Sequence, residues 1–472
     1  MADKTKFIEE LNAKYQPKGE YIVLGKGMLD GEVITEVDVN IPLKTINRHG
    51  LIAGATGTGK TKTLQVFVEQ LSHKGIPTLV MDIKGDLSGI AVEGEQNDKI
   101  NERYAKTKLP YQPQSFPVEL MTISAEKGLK LRATVTEFGP VLLSKILGLN
   151  DTQSSIMSIV FKYADDKGLP LIDLDDLKKT LQYVTDNDEG KKELASNYGA
   201  ISPASLGAIL RSIVALEQQG ATSFFGEPSF DVEDLLQTRG GKGVVNVLRV
   251  ADIQNQPQLF STFMLSLFAE IYMTFPEEGD SGKPKLVLFI DEAHLIFNEA
   301  SKALLSQIET MVKLIRSKGV GIYFITQIPG DVPENVLAQL GLKIQHALRG
   351  FTAKDRKEID KAVENYPITE YYDAGNLIQN LGIGEAFVTA LDEKGIPTPL
   401  VQTYLISPES RMDVLTSDEI DDLVNASDLA EKYNKEIDKE SAYEILTKRM
   451  ETAAAAEQEV EQEKSTARQP KE

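Results

Sequence analysis

The sequence predicts an α/β fold in which a mostly parallel sheet carries helices on both sides. Two observations predict it. Apolar runs of strand length recur between helix-patterned segments, at 76–83, 118–123, 243–250, 285–291, 320–327 and 342–348, as expected of strands buried on both faces. In addition, Gly54-Ala55-Thr56-Gly57-Thr58-Gly59-Lys60-Thr61 is a complete phosphate-binding loop. It stands between the short apolar run Leu51-Ile52-Ala53 and a helix-compatible stretch, 62–71, the strand–loop–helix setting that the motif requires.

In chain order, residues 1–49 hold a polar helix candidate, 5–15, and two β-rich stretches, 21–27 and 33–41, a lead-in too short for a full domain. The core is expected over 50–406. Its strand spacing is broken over about 127–237, where helical patterns at 139–147, 153–164, 173–184 and 202–218 indicate a helical insertion. Two further strands, 384–391 and 398–405, close the core as a hairpin around Asp392-Glu393-Lys394-Gly395. Residues 407–472 form an acidic helical tail whose Ala/Glu/Gln-rich end is expected to be disordered.

Composition narrows the function. A length of 472 residues accommodates two or three domains, or one large core with an insertion. The absence of cysteine excludes disulfides, thiolate metal sites and cysteine nucleophiles, and four histidines leave little room for a histidine-based metal site. No apolar stretch is long enough to span a membrane, and Met1-Ala2-Asp3-Lys4 lacks the apolar core of a signal, so a cytoplasmic protein without a membrane partner is expected. The net charge of −20 argues against a protein that coats nucleic acid with a uniformly basic surface. The last 66 residues carry 18 acidic against 9 basic groups, however, so the core is milder than the total. A ring needs positive charge only along its channel.

A triphosphate concentrates negative charge in a small volume, and backbone N–H groups curled by glycines hold it well. Gly54 to Gly59 supply that curl; Lys60 is placed to reach the β- and γ-phosphates, Thr61 to ligate Mg²⁺, and Lys62 follows in the same cradle. The strand Lys285-Leu286-Val287-Leu288-Phe289-Ile290 ends in Asp291-Glu292. There Asp291 is the expected Mg²⁺ ligand and Glu292 the group that orients and deprotonates water. Gln327 ends the next strand and either senses the γ-phosphate or only bonds loop backbone. Asp82 either faces the crevice or shapes its turn. Phosphoryl transfer also needs an arginine, and Arg48, Arg316 and Arg349 are the candidates. Arg316 could equally serve the dipole of the helix it ends.

The segments 47–61, Val80-Met81-Asp82-Ile83-Lys84-Gly85-Asp86, Phe289 to His294, Phe324-Ile325-Thr326-Gln327 and Gly384-Glu385-Ala386-Phe387 together resemble the HerA–FtsK class of RecA-like motor ATPases. The closest resemblance is to the HerA-like helicase C-terminal domain family, over about 47–405. It implies a RecA-like P-loop core that hydrolyses ATP with Mg²⁺, assembles as a hexameric ring and pumps double-stranded DNA through its centre. It also implies Arg48 as a finger reaching a neighbour's nucleotide and Arg316 as an arginine acting in cis. Archaeal HerA proteins begin with a β-barrel that docks a nuclease; the lead-in here is too short for one, which leaves a nuclease or other protein partner open. The alternative class is a nucleotide-switched scaffold that recruits a protein through the helical insertion or the acidic tail.

Overall fold

The computed structural model describes residues 3–452 other than 254, 255, 280, 300, 301, 436 and 438, together with 455. The remainder of the Ala/Glu/Gln-rich end lies outside the described residues. In chain order the strands are β1 (Tyr21–Leu29), β2 (Glu32–Pro42), β3 (Gly50–Ala53), β4 (Thr78–Asp82), β5 (Val118–Thr122), β6 (Leu129–Lys130), β7 (Thr238–Arg239), β8 (Lys242–Gly243), β9 (Val245–Arg249), β10 (Leu286–Ile290), β11 (Val320–Thr326), β12 (Leu342–Gln345), β13 (Glu385–Thr389) and β14 (Val401–Leu405). All but the β7–β8 ribbon join one sheet of order β2-β1-β14-β13-β12-β3-β11-β10-β4-β9-β5-β6.

From β12 to β6 every pairing is parallel, whereas β13, β14, β1 and β2 pair antiparallel along one side. The β13–β14 hairpin confirms the expected closure. The β-rich lead-in supplies β1 and β2, and β1 bonds directly to β14, so it extends the core sheet. The parallel strands β4, β10 and β11 are buried at every residue, which explains why they read as unbroken apolar runs rather than as alternating ones.

Two compact units divide the chain: Met1–Lys130 with Asp231–Ala430, and Leu131–Phe230 with the segment from Glu431 onward. The first contains the sheet, with helices α1 (Lys4–Tyr15), α2 (Lys60–His73) and α3 (Asp98–Thr107). The second is helical and contains α4 (Val135–Ile146), α5 (Asp151–Asp166), α6 (Leu174–Asp186), α7 (Asp188–Asn197) and α8 (Pro203–Glu217). Reciprocal capping boxes open α4, α5 and α6. Within this unit the chain after Glu431 is tied to α6: Asp176 accepts from the amide of Tyr443 at 2.8 Å and from the Ser441 hydroxyl. Among the described residues of either unit, no helix is long and apolar enough to cross a membrane.

Helix α2 is anchored from two directions. Its Phe67 packs edge-on against Phe289 of β10, with centroids 5.5 Å apart, and tilted against Tyr323 of β11 at 5.0 Å. All three rings are fully buried. Gly50 in β3 permits this, because a Cβ there would meet the Tyr323 ring at 2.3 Å. On another face Lys62, Gln65 and Glu69 hold the segment 409–412: Lys62 donates to the Met412 carbonyl at 2.5 Å and Gln65 to the Arg411 carbonyl at 2.9 Å. Glu69 accepts from the amides of Glu409 and Ser410 at 2.8 and 3.1 Å and from the Ser410 hydroxyl.

Burial pushes the Glu69 carboxyl from its ordinary 4.5 up to about 7, against the opposing effect of those hydrogen bonds. The folded state therefore binds this proton more tightly than the unfolded chain, and the associated stability is present below pH 4.5 and lost as pH rises through about 7. Glu69→Gln mimics the protonated form, so its stability relative to the parent should increase steadily between about pH 4.5 and 7 and level off above. Urea unfolding midpoints across that range measure the difference; a pH-independent difference would contradict the assignment.

Candidate functional site

Strand β3 ends at Ala53 between β11 and β12, and the phosphate loop is built on both neighbours: the Gly54 amide donates to Thr326 at 3.2 Å and the Ala55 amide to Ala347 at 2.8 Å. Gly57 and Gly59 adopt φ of 79° and 112°, in the left-handed region open to glycine. Gly54 is excluded from carrying a side chain by close approach, since a Cβ would stand 2.5 Å from the Cβ of His346. Gly59 is the N-cap of α2 and offers no side-chain cap, unlike the residues that open α4, α5 and α6. The first amides of α2 are thus left without a side-chain acceptor at the positive end of a helix dipole, which is an anion-binding arrangement.

Lys60 is 6% exposed and turns its ammonium back onto the loop, donating to the carbonyls of Gly54 at 2.5 Å and Ala55 at 3.2 Å. Burial and the nearby Lys84 lower its pKa, while Glu292 and Asp291 raise it. Beneath the loop lies His346, fully buried, with Nε2 3.0 Å from the Thr63 hydroxyl. Burial, aided by the Lys60 charge, pushes His346 down to about 3, so a neutral imidazole floors the cradle. Thr61 follows Lys60 in the first turn of α2, beside these groups.

The parallel order β3-β11-β10 carries Asp291 and Glu292 to the same end of the sheet as the loop. Asp291 is 3% exposed, and burial pushes its carboxyl up to about 7 despite the opposing charge of Lys84. A carboxylate short of compensating charge, next to the uncapped start of α2, fits a dication. Among the described residues no group of three or more acidic or histidine side chains could hold a metal alone. Mg²⁺ suits such a site, because it takes one or two protein oxygens and fills its shell with phosphate and water. Thr61 and Asp291 are the groups that would hold it, and it would neutralise charge on the phosphates.

Glu292 is 6% exposed and has φ 47°, a left-handed conformation uncommon for a residue with a side chain. Its Oε1 forms an ion pair with Lys84. Its Oε2 accepts no hydrogen bond, although His294 Nδ1 stands 3.2 Å away. Lys84 comes from the turn after β4, and Asp82 builds that turn by accepting from the amides of Gly85 at 2.7 Å, Asp86 at 3.2 Å and Leu87 at 3.1 Å. Asp82 thus shapes the turn, with both carboxylate oxygens engaged by backbone. Burial pushes it up to about 6 against those bonds.

Gln327 directly follows β11, exposed, at the crevice end between the loop and Asp291. The side chain of Lys62 is directed to Met412 and to Gln65 Oε1, 3.2 Å away, so only its backbone remains in the cradle. Arg349 donates to the Gln379 carbonyl.

The candidate arginines Arg48 and Arg316 lie at the other end of the sheet. Arg316 precedes β11 and Arg48 precedes β3, so both stand at the amino ends of strands whose carboxyl ends carry the phosphate loop. At a rise of about 3.3 Å per residue, the length of β11 separates them from the loop by roughly 20 Å. They line a cavity of about 460 Å³ with Lys313 and Lys343. His49 supports it: its Nε2 donates to the Val312 carbonyl at 2.9 Å and its Nδ1 accepts from the Ile322 amide at 3.0 Å. Burial, with the Arg316 charge adding to it, pushes His49 down to about 4, consistent with the neutral ring those bonds require.

Comparison with known proteins identifies the family and the fold. Residues 29–471 match the family described as helicase HerA-like C-terminal, and the chain belongs to that family. The DNA double-strand break repair helicase HerA of Saccharolobus solfataricus is 22% identical over 385 residues, covering 80% of this chain and 68% of that protein. Among solved structures, the bacterial conjugative coupling protein TrwBdeltaN70 in unbound form shares the fold with a TM-score of 0.55 at 15% identity, over 86% of this chain and 95% of that one. The plasmid coupling protein TrwB in complex with ADP and Mg²⁺ gives a TM-score of 0.52 at 14% identity, over 84% and 97%.

Asp82→Ala should leave three amides of the Lys84 turn without their acceptor and cost about 1–3 kcal/mol. Urea unfolding measures the loss. Faster hydrogen exchange confined to Gly85, Asp86 and Leu87 would distinguish the turn from a general loosening.

Proposed function

We propose that this chain is a cytoplasmic, Mg²⁺-dependent ATPase of the HerA type that assembles into a ring, a hexamer by family resemblance, and moves DNA. One observation carries the hydrolytic half: an uncapped, glycine-curled helix start with Lys60 faces a buried Asp291–Glu292 pair across two parallel strand pairings. In that geometry the amides of Gly54 to Thr61 and the Lys60 ammonium bind the phosphates. Thr61 and Asp291 hold Mg²⁺, Gln327 orients water or senses the γ-phosphate, and Glu292 removes the proton from the attacking water. The similarity to HerA, a DNA double-strand break repair helicase, and to TrwB in complex with ADP and Mg²⁺ supports the DNA and Mg²⁺ parts of the reading.

The ring rests on the arginines. Arg48 and Arg316 are cations on one cavity at the amino end of the sheet, and a second subunit placing its phosphate loop against that cavity would use them. Arg48 is assigned the trans role, and Arg316, which the resemblance gives a cis role, lies beside it on the same cavity. A separate observation supports a nucleotide-switched scaffold as the second reading: the helical unit is compact by itself and contains none of the proposed site residues. Such a protein would turn over slowly and capture a protein partner, a nuclease included, only in one nucleotide state.

Lys60→Ala should abolish nucleotide binding and turnover together, whereas Glu292→Gln should keep ATP bound and lower kcat by a factor of about 10²–10⁴. Duplex DNA should stimulate the parent ATPase, with a stimulation that fades as salt rises. Unchanged turnover in both variants would remove the site assignment, and absent stimulation at low salt with the oligomer verified would favour the scaffold.

Mixing inactive Arg48→Ala subunits with inactive Lys60→Ala subunits should restore part of the activity, because some interfaces then combine an intact phosphate loop with an intact arginine. Co-assembly is checked by native mass measurement. Mixed particles with no recovered turnover at any ratio would argue that Arg48 does not act across an interface.

A further inference from the structure

Lys84 has no part in the hydrolytic scheme above, yet it is the cation that engages the proposed base. Its ammonium pairs with Glu292 Oε1, and Asp291 and Glu292 together outweigh partial burial in keeping it charged. That ammonium occupies an oxygen that must accept a proton from water, so Glu292 tied in this way is not free to act as the base. The other oxygen is buried without a hydrogen bond. The turn that carries Lys84 is held by the three amide bonds to Asp82, so the freedom at this position lies in the long side chain and not in the backbone. That side chain is 37% exposed, so it has room on the solvent side in which to change partner.

A bound triphosphate would offer a stronger partner. Lys60, on the loop after β3, and Lys84, on the turn after β4, leave the same end of the parallel sheet as Asp291 and Glu292, where a terminal phosphate held by Lys60 would stand. A diphosphate would not supply that charge. We propose that Lys84 is a γ-phosphate-responsive latch: it ties Glu292 while the terminal phosphate is absent, and it transfers to the γ-phosphate of a bound triphosphate, leaving Glu292 free to act on water. Lys84 is in this sense a positioning residue that couples the identity of the nucleotide to the availability of the base. The proposal rests on the reading of Gly54 to Thr61 as an ATP site.

Affinities of the full-length chain for ADP and for a non-hydrolysable ATP analogue, with Mg²⁺, test it through a double-mutant cycle. Lys84→Met should weaken the analogue roughly tenfold and leave ADP within about twofold. Glu292→Gln should tighten the analogue, because the latch no longer has a charge to leave, and that gain should vanish in the double variant. Lys84→Arg, which keeps the charge, should retain part of the preference for the triphosphate and guards against misfolding of the Met variant. Equal weakening of both nucleotides, or additive effects in the cycle, would overturn the latch. Lys60→Ala binding both nucleotides like the parent would instead overturn the ATP site beneath it, so the two failures are distinguishable.

Discussion

The site depends on one packing constraint: the parallel strands β3, β11 and β10 lie side by side with α2 pressed across them through Phe67, Phe289 and Tyr323. Parallel pairing makes the carboxyl ends of all three strands coincide, so a loop leaving β3 and two carboxylates leaving β10 share one edge. The aromatic cluster then sets the height of α2 above that edge. Gly50 is part of the same constraint, because the Tyr323 ring occupies the space where its side chain would stand.

Charges crowded at this edge would be unfavourable one by one, and they are arranged in mutual compensation. Lys60 rests on loop carbonyls, Lys84 on Glu292, and Asp291 lies between with its carboxyl raised by burial. The two buried imidazoles, His346 under the loop and His49 at the amino end of β3, are held neutral and act as fixed hydrogen-bonding spacers rather than as charges. Phosphate and Mg²⁺ would complete this balance, which gives the nucleotide influence over side chains beyond its direct contacts.

The two ends of the sheet consequently differ in their chemistry. The carboxyl end gathers the phosphate loop, Lys60 and the Asp291–Glu292 pair, and the amino end presents Arg48 and Arg316 on an open cavity. Helix α2 connects the first of these to the chain beyond β14, since Lys62, Gln65 and Glu69 all bond to 409–412.

Local signals made much of this legible beforehand. The phosphate loop is contiguous, the Asp291–Glu292 pair ends an apolar run, and strands buried on both faces announce themselves by unbroken hydrophobicity, so the sequence alone determined the α/β class, the cradle and the two carboxylates. It could not show that Lys84 reaches Glu292, because that depends on β4 pairing with β10, a contact between residues some two hundred positions apart. Nor could it show which end of the sheet Arg316 occupies relative to the loop, or that His346 floors the cradle, since a basic residue ending a helix and a lone histidine ending a strand look alike wherever they lie. Strand order and direction are set by long-range hydrogen bonding and by the packing of α2, and only the tertiary structure decides which chemically ordinary side chains those pairings bring to the site.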